Sequence, residues 1–206
     1  MDISTKYRLQ ELIKLITNTY EGKYTYNYGY NYSRIVEACE EIAKITPTGS
    51  EEAASIVVPV MQELFHRFDS RTPEGYAVLQ AACLPLGKLG SAAVDTVPMF
   101  SRVLRITEDK RLLESYCWVI SEMELAALSS TYIYRLTDLI GALVDLLEKN
   151  AEDDYFFCKA VAGALISIGE DVMPWLKPHT NSHSAGIRMW STLIIKTIEE
   201  NRRKKR

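Results

Sequence analysis

The apolar positions of this chain follow a helical period almost everywhere. Apolar residues recur every three or four positions, and turn residues interrupt the pattern at short intervals. Ser50 before Glu51 and Glu52 is typical of a helix start, whereas Gly90 and Gly169 are typical of helix ends. The pattern predicts an all-α protein of about ten helices with short connections. These helices are expected to begin near residues 3, 33, 51, 73, 91, 108, 130, 152, 170 and 184.

Several segments of the chain also resemble one another. The stretch LGKLGSAAVDTVPMFSRVL at 86–104 can be aligned with PTGSEEAASIVVPVMQELF at 47–65 and with LISIGEDVMPWL at 165–176. Pro59 and Pro98 are 39 residues apart, and Pro174 lies 76 residues beyond Pro98, or two units of about 38. The segment RLTDLIGALVDLL at 135–147 keeps the apolar spacing without the proline. Pro59 and Pro98 are expected to bend or interrupt their helices.

This run of segments resembles HEAT-like repeats of the armadillo type. Bacterial members of that family often combine a small-residue helix, a Leu-Gly-Lys-Ile-Gly type break and a second helix with a Val-Pro step. The resemblance covers roughly residues 33–178 as four degenerate repeats, with the outer helices as caps. It implies a right-handed α-α superhelix, a HEAT-like α-solenoid, forming a single domain over residues 1–206. Such a resemblance implies a fold and says little about function.

Residues 21–32, EGKYTYNYGYNY, interrupt the helical pattern. Tyrosine occupies every second position from Tyr24 to Tyr32, so an extended chain would carry these side chains on one side. We expect an inserted loop or hairpin here. Three alternatives stay open: the segment seals the exposed end of the first helices, it binds a partner, or it is disordered. Partner binding is considered because Tyr mixed with Asn and Gly is typical of binding loops.

The charges divide the chain into an acidic body and a basic tail. Five of the 24 basic residues are the last five, so residues 1–201 carry 19 basic against 27 acidic groups, a net charge of -8. An acidic body favours a partner protein with a basic surface. The tail is predicted to be a solvated helix end, and any contact with nucleic acid would use it alone. The tail comprises Arg202, Arg203, Lys204, Lys205 and Arg206.

Targeting signals are not evident in the sequence. No apolar run approaches the roughly 20 residues that span a bilayer, and the start MDISTKYRLQ lacks the apolar core of a signal peptide. The expectation is a cytoplasmic protein without a membrane role.

Metal or thiol chemistry is not predicted. The four cysteines are 44, 34 and 41 residues apart, one in the first helix of each repeat, which is too far for convergence on one metal ion. His179 and His183 lie in a joint between helices, where Pro178 interrupts the helical pattern. No metal and no cofactor are expected. The cysteines, Cys39, Cys83, Cys117 and Cys158, are expected to be small apolar contacts between helices.

Most carboxylate pairs lie in predicted first turns, where the helix dipole explains them. Glu122 and Glu124 lie near a helix end instead, and are candidates for an acidic patch. Trp118, in SYCWVI, and Trp175, after the repeat proline, have core-like surroundings. The chain contains no phosphate-binding glycine loop, zincin helix or nucleophile elbow, which weakens an enzymatic interpretation.

These observations favour a non-enzymatic protein-binding module. It would be an adaptor or scaffold, or an inhibitor or immunity protein that neutralises a basic toxin or nuclease. The resemblance also leaves an alternative, an enzyme or enzyme subunit related to alkylpurine DNA glycosylases or bilin lyases. The predicted partner-binding residues are Tyr24, Tyr26, Tyr28, Tyr30, Tyr32, Glu122 and Glu124.

Overall fold

The computed structural model describes residues 1–20, 28–127 and 133–204, and these residues contain helices and no strand. The α-helices are α1 (Ile3–Tyr20), α2 (Tyr28–Ile45), α3 (Glu51–Arg67), α4 (Pro73–Leu89), α5 (Val97–Ile106), α6 (Lys110–Glu122), α7 (Ile133–Asn150), α8 (Tyr155–Ile168), α9 (Met173–Leu176) and α10 (Ala185–Lys204). Short 3-10 helices cover Gly90–Thr96, Leu125–Ala127, Gly169–Val172 and Pro178–Asn181. The predicted all-α architecture is therefore confirmed.

The first compact unit is Met1–Met99. Helices α1 and α2 pack together as one hairpin and α3 and α4 as the next, while α2 packs along α4 and α1 along α3. Ser50 is the N-cap of α3, as predicted, and its hydroxyl accepts a bond of 3.1 Å from the Ala53 amide. Ile16, Ile42 and Met61 are fully buried between these helices.

The second compact unit is Phe100–Arg206, and the boundary between the units falls within α5. Helix α8 packs against α6, α7 and α10. Asp109 and Asp154 are the N-caps of α6 and α8, with carboxylate oxygens 2.9 and 3.0 Å from the capped amides. Tyr116 and Trp190 are among the largest buried side chains. The prediction of one continuous domain stays a prediction.

Helix α2 begins earlier than its sequence predicts. The pattern predicts a start near residue 33, but the helix starts at Tyr28, so residues 28–32 are not a loop or hairpin. Residues 21–27 lie outside the described residues. Tyr32 contacts Phe68 edge-on, with ring centroids 5.7 Å apart, and this packing outweighs the weak helix propensity of tyrosine.

Two further expectations from the sequence are wrong. The segment after Ser91 is a 3-10 helix, and α5 starts only at Val97. Pro98 is therefore in the first turn of α5, where a missing amide hydrogen costs no intrahelical bond, and it does not interrupt the helix. Pro59, by contrast, lies inside α3.

One apolar stretch does reach the length that a bilayer requires. Pro73–Ile106 contains an 18-residue window with a mean hydropathy of 1.4, of which 61% is buried. Length and composition alone select this stretch, and core helices of globular proteins pass the same test. It consists of α4, a 3-10 helix and α5 rather than one continuous α-helix.

We predict opposite effects on stability for alanine at Gly169 and at Gly163. Gly169 has a φ of 82°, and an added Cβ would come within 2.7 Å of the Ala126 Cβ. Gly169→Ala should therefore lower the free energy of unfolding by about 2 kcal/mol or more. Gly163 lies in α8 with nothing within 4 Å of an added Cβ, so Gly163→Ala should raise this free energy by about 0.5–1 kcal/mol. Urea denaturation of both variants measures these changes, and similar midpoints would contradict the prediction.

Candidate partner-binding surface

Helices α6, α8 and α10 run parallel and form one layer of the second unit. Near the start of α6, Lys110 pairs with Asp154 at 2.9 Å, and near its end the Ser167 hydroxyl donates to the Ile120 carbonyl at 3.0 Å. The start of α10 is held to α8 in the same way, because Glu152 accepts a bond of 2.9 Å from the Gly186 amide.

The other end of α10 is also tied to α8. The Arg202 Nε lies 3.0 Å from a Glu170 oxygen, just after α8 ends. Bonds near both ends therefore show which residues of α6, α8 and α10 lie at the same level along the parallel helices.

The exposed side of α6 carries an aromatic residue between carboxylates. Leu112, Tyr116, Val119 and Ile120 are buried, and the opposite side of the helix holds Trp118, which is 41% exposed. Glu114 and Glu122 lie one turn before and one turn after Trp118, at about 6 Å along the axis. The Ser121 hydroxyl bonds within the helix, to the Trp118 carbonyl. An indole with a carboxylate on each side presents a negative, aromatic surface to solvent.

Glu124 follows α6 in an unusual backbone conformation. Its φ is 47°, the one positive value among the described non-glycine residues. The left-handed region costs a side chain with a Cβ about 1–2 kcal/mol, and glycine is the ordinary residue there. Glu124 is also exposed, so packing does not explain its presence. Strained residues of this kind are often found at functional positions.

The structure places the predicted site residues in two different units. Tyr24 and Tyr26 lie outside the described residues, while Tyr28 and Tyr30 lie in the first turns of α2. Tyr32 is half-buried against Phe68. A helical backbone does not have the period of two that a one-sided tyrosine strip requires, so that prediction is wrong for residues 28–32. Glu122 and Glu124 are exposed in the second unit, near Trp118.

A charged groove of about 420 Å³ lies between α1 and α2. Arg8 on its rim is bound at 2.8 and 3.0 Å by the two oxygens of Glu41. Leu12, Leu15 and Ala38 form part of its wall. Because Arg8 and Glu41 already satisfy one another, this groove offers a weaker case for partner binding than Trp118.

The remaining candidates for chemistry have structural roles. Glu152 and Asp154 accept bonds from backbone amides of α10 and α8, and these bonds, with those from Ser184 and Lys110, lower the pKa of both carboxyls. Glu52 pairs with Lys6 at 2.8 Å, and His179 lies 3.2 Å from Glu148. Among the described residues, no three His, Cys, Asp or Glu side chains are grouped as metal ligands.

Sequence reasoning missed Trp118 and also Trp175. Both were assigned core-like surroundings, yet they are 41% and 40% exposed, whereas Trp190 is buried. The helical period contained the missing signal for Trp118, because Arg111, Glu114, Ser121 and Glu122 are polar at the neighbouring positions of the same side. Trp175 lies beside Gly141 of α7 and has no flanking pair of carboxylates on its own short helix.

Comparisons with known proteins identify the fold. No protein-family model and no curated protein matches the chain. Solved structures do match it over nearly its full length. An engineered protein is 19% identical, with a TM-score of 0.58, and the alignment covers 91% of this chain and 79% of that one. The chain has the fold of an armadillo-type helical repeat protein.

Two further matches agree with this assignment of a HEAT-like α-solenoid. A designed armadillo repeat protein in complex with the peptide (KR)4 is 14% identical, with a TM-score of 0.55 and coverage of 92% of this chain and 85% of that one. Another engineered protein is 16% identical, with a TM-score of 0.57, and covers 91% of this chain and 47% of its own length. At these identities, the comparisons establish the repeat fold and nothing finer.

We predict that the four cysteines do not react in the folded protein. All four are free and buried, and burial raises the pKa of Cys39 and Cys117 to about 12 and that of Cys158 to about 11. Thiolates are therefore almost absent at neutral pH. A colorimetric thiol reagent should detect no fast-reacting thiol at pH 8 and four thiols in denaturant. Rapid labelling of the folded chain would contradict this.

Replacing Glu124 by glycine should stabilise the protein. The substitution removes the strain of a positive φ, although glycine adds freedom to the unfolded chain, so we expect a gain of about 1 kcal/mol. Glu124→Ala keeps the Cβ and is the matched control, for which no such gain is expected. Thermal and urea denaturation measure both variants, and a destabilised glycine variant would contradict the strain.

Proposed function

We infer that this chain is a non-enzymatic protein-binding module that holds a basic segment of its partner on the exposed side of α6. The observation that carries this proposal is Trp118, exposed on a helix whose other large apolar side chains are buried, with Glu114 and Glu122 one turn away on each side. The partner's Lys or Arg side chain lies over the indole ring, and its charge is offset by the two carboxylates.

The physical chemistry of this arrangement favours a cation. A cation over an exposed indole gains about 0.5–1 kcal/mol, and each exposed ion pair adds about 0.2–1 kcal/mol. One such contact supplies only a weak affinity, so several must act together for stable binding. Glu124 adds a further carboxylate just after the end of α6. Its backbone is strained, and the binding contribution of its negative charge offsets that cost.

Net charge supports the same class of partner. Residues 1–201 carry a net charge of -8, which speeds the approach of a basic protein and repels nucleic acid phosphates. A designed protein of the same fold binds a peptide of alternating Lys and Arg, which is the chemistry proposed here. Whether the partner is a basic toxin that the module neutralises or a component that it recruits as an adaptor depends on the identity of that partner.

The proposal is tested by titrating the protein with (KR)4. Trp118→Ala should raise the Kd for this peptide about two- to fivefold, which corresponds to about 0.5–1 kcal/mol. Glu122→Gln should raise the Kd by a smaller factor, and the binding should weaken as salt is added. Fluorescence anisotropy of a labelled peptide measures each Kd.

Matched variants separate this surface from general effects of charge. Trp175→Ala removes an equally exposed tryptophan of the same unit, and Glu108→Gln removes a carboxylate beyond the other end of α6. Both should bind (KR)4 like the unmodified chain. Equal losses for Trp118→Ala and Trp175→Ala, or equal binding of an acidic (ED)4 peptide, would refute the assignment.

A further inference from the structure

We propose that the layer of α6, α8 and α10 also binds a second side chain of the partner. This is an apolar side chain four residues from the basic one in an extended segment. This rests on the proposed function, because it takes the cation over Trp118 as the first contact. The second contact uses three exposed apolar side chains on the outer sides of α8 and α10, here called the apolar cluster: Phe156, Met189 and Leu193, which are 79%, 49% and 47% exposed.

Met189 and Leu193 lie on the outer side of α10. The ring of Trp190 faces α8, because its centroid lies 5.2 Å from that of Tyr155. Ile187, Ser191 and Ile194 are buried on one side of this direction. A helix turns by about 100° per residue. Around the axis of α10, Met189 and Leu193 therefore lie about 100° and 60° from Trp190, in the direction opposite to the buried residues.

Phe156 lies on the outer side of α8 by a similar argument. Tyr155 faces α10 through its contact with Trp190, and Ser167 faces α6 through its bond to the Ile120 carbonyl. Phe156 and Gly163 lie between these two sides, opposite the buried Val161 and Leu165. Since α6, α8 and α10 are parallel, their outer sides form one surface that also includes Trp118.

The spacing along this surface follows from the bonds between the helices. Glu152 is bonded to the Gly186 amide, so Phe156, four residues further along α8, is level with Trp190 on α10, one residue beyond Met189. The pairs between α6 and α8 are offset by 44 and 47 residues, which places Trp118 level with residues 162–165 of α8, the turn that contains Gly163. An added Cβ at Gly163 would meet nothing within 4 Å, so the outer side of α8 is open at this position.

These levels set the distance between the two contacts. Phe156 is two turns from Gly163, about 10.5 Å along α8, and α6 lies about 8–10 Å to the side. The diagonal from Trp118 to Phe156, the nearest member of the apolar cluster, is therefore about 14 Å. An extended chain advances about 3.3 Å per residue and carries positions i and i+4 on the same side, so a separation of four residues fits both distance and direction.

The charges decide which contact takes the cation. Lys159 is exposed on the outer side of α8, one turn from Phe156, and repels a basic side chain there. Glu122 and Glu124 are at the end of α6 beyond Trp118. The partner segment therefore binds with its basic residue over α6 and its apolar residue over α8 and α10.

The test uses twelve-residue peptides of Ser and Gly that carry one Arg and one Leu, with Leu two to six positions from Arg in either direction. Each Kd is measured by chemical-shift titration, which reports weak binding. In one of the two directions, the peptide with a separation of four should bind at least threefold more tightly than those with three or five, which place the side chains on opposite sides.

Variants assign each contact to its residues. Leu193→Ser and, separately, Phe156→Ser should remove the preference for a separation of four while keeping the benefit of Arg over Gln in the peptide. Ile106→Ser replaces a 65% exposed residue of α5 in the same unit and should change neither. If Arg improves binding but no separation is preferred, the inference is wrong and the proposed function stands. If Arg peptides bind no better than Gln peptides, the proposed function itself fails.

Discussion

The structure depends on the fact that a pair of helices cannot bury its own apolar residues. Each hairpin leaves an apolar stripe that the next helices must cover, and α8 shows the result, with Val161, Leu165 and Ile168 buried where α6, α7 and α10 pack around it. Because α6, α7 and α10 cover three sides of α8, its fourth side has no packing role. Residues on that side are therefore available for function, and this is where Phe156 and Gly163 lie.

The candidate surface follows from this division of each helix. Buried stripes on α6 and α10 place Trp118, Met189 and Leu193 in solvent, because each occupies a position that stacking does not use. Parallel packing then brings these positions onto one surface at separations that the helical rise and the interhelical distance determine. The helix packing therefore sets the distances between these exposed residues, and their side chains determine what can bind at each position. Stability conflicts with the proposed binding role at Glu124, where a charged side chain occupies a position suited to glycine.

Much of the fold was predictable from local signals in the sequence. Ser50 marked the start of α3, and Gly90 and Gly169 marked helix ends at which φ is positive. The start of α2 was not predictable, because the contact of Tyr32 with Phe68 depends on a residue 36 positions away along the chain. Over residues 28–32 the one-sided tyrosine strip was wrong, because alternation predicts a shared side only in an extended backbone and this part of the chain is helical.

The candidate site was predictable in part. Glu122 and Glu124 stood out as acids near a helix end, where the dipole does not favour them. Trp118 did not stand out, because it lies in the apolar run SYCWVI. Its position on the exposed side of α6 becomes evident once the buried residues of that helix are known. Surfaces assembled from several helices are harder still, because the relative levels of α8 and α10 follow only from a contact between distant residues, the bond of Glu152 to Gly186.

The three tryptophans allow the most direct measurement of where a basic partner binds. Each indole N–H gives its own resonance, and Trp118, Trp175 and Trp190 report on the outer side of α6, on the short helix α9 and on the core, respectively. During titration with (KR)4, the account predicts a saturable shift of the Trp118 indole resonance and no change of the other two. An unchanged Trp118 resonance, or an equal shift at Trp175, would contradict the account.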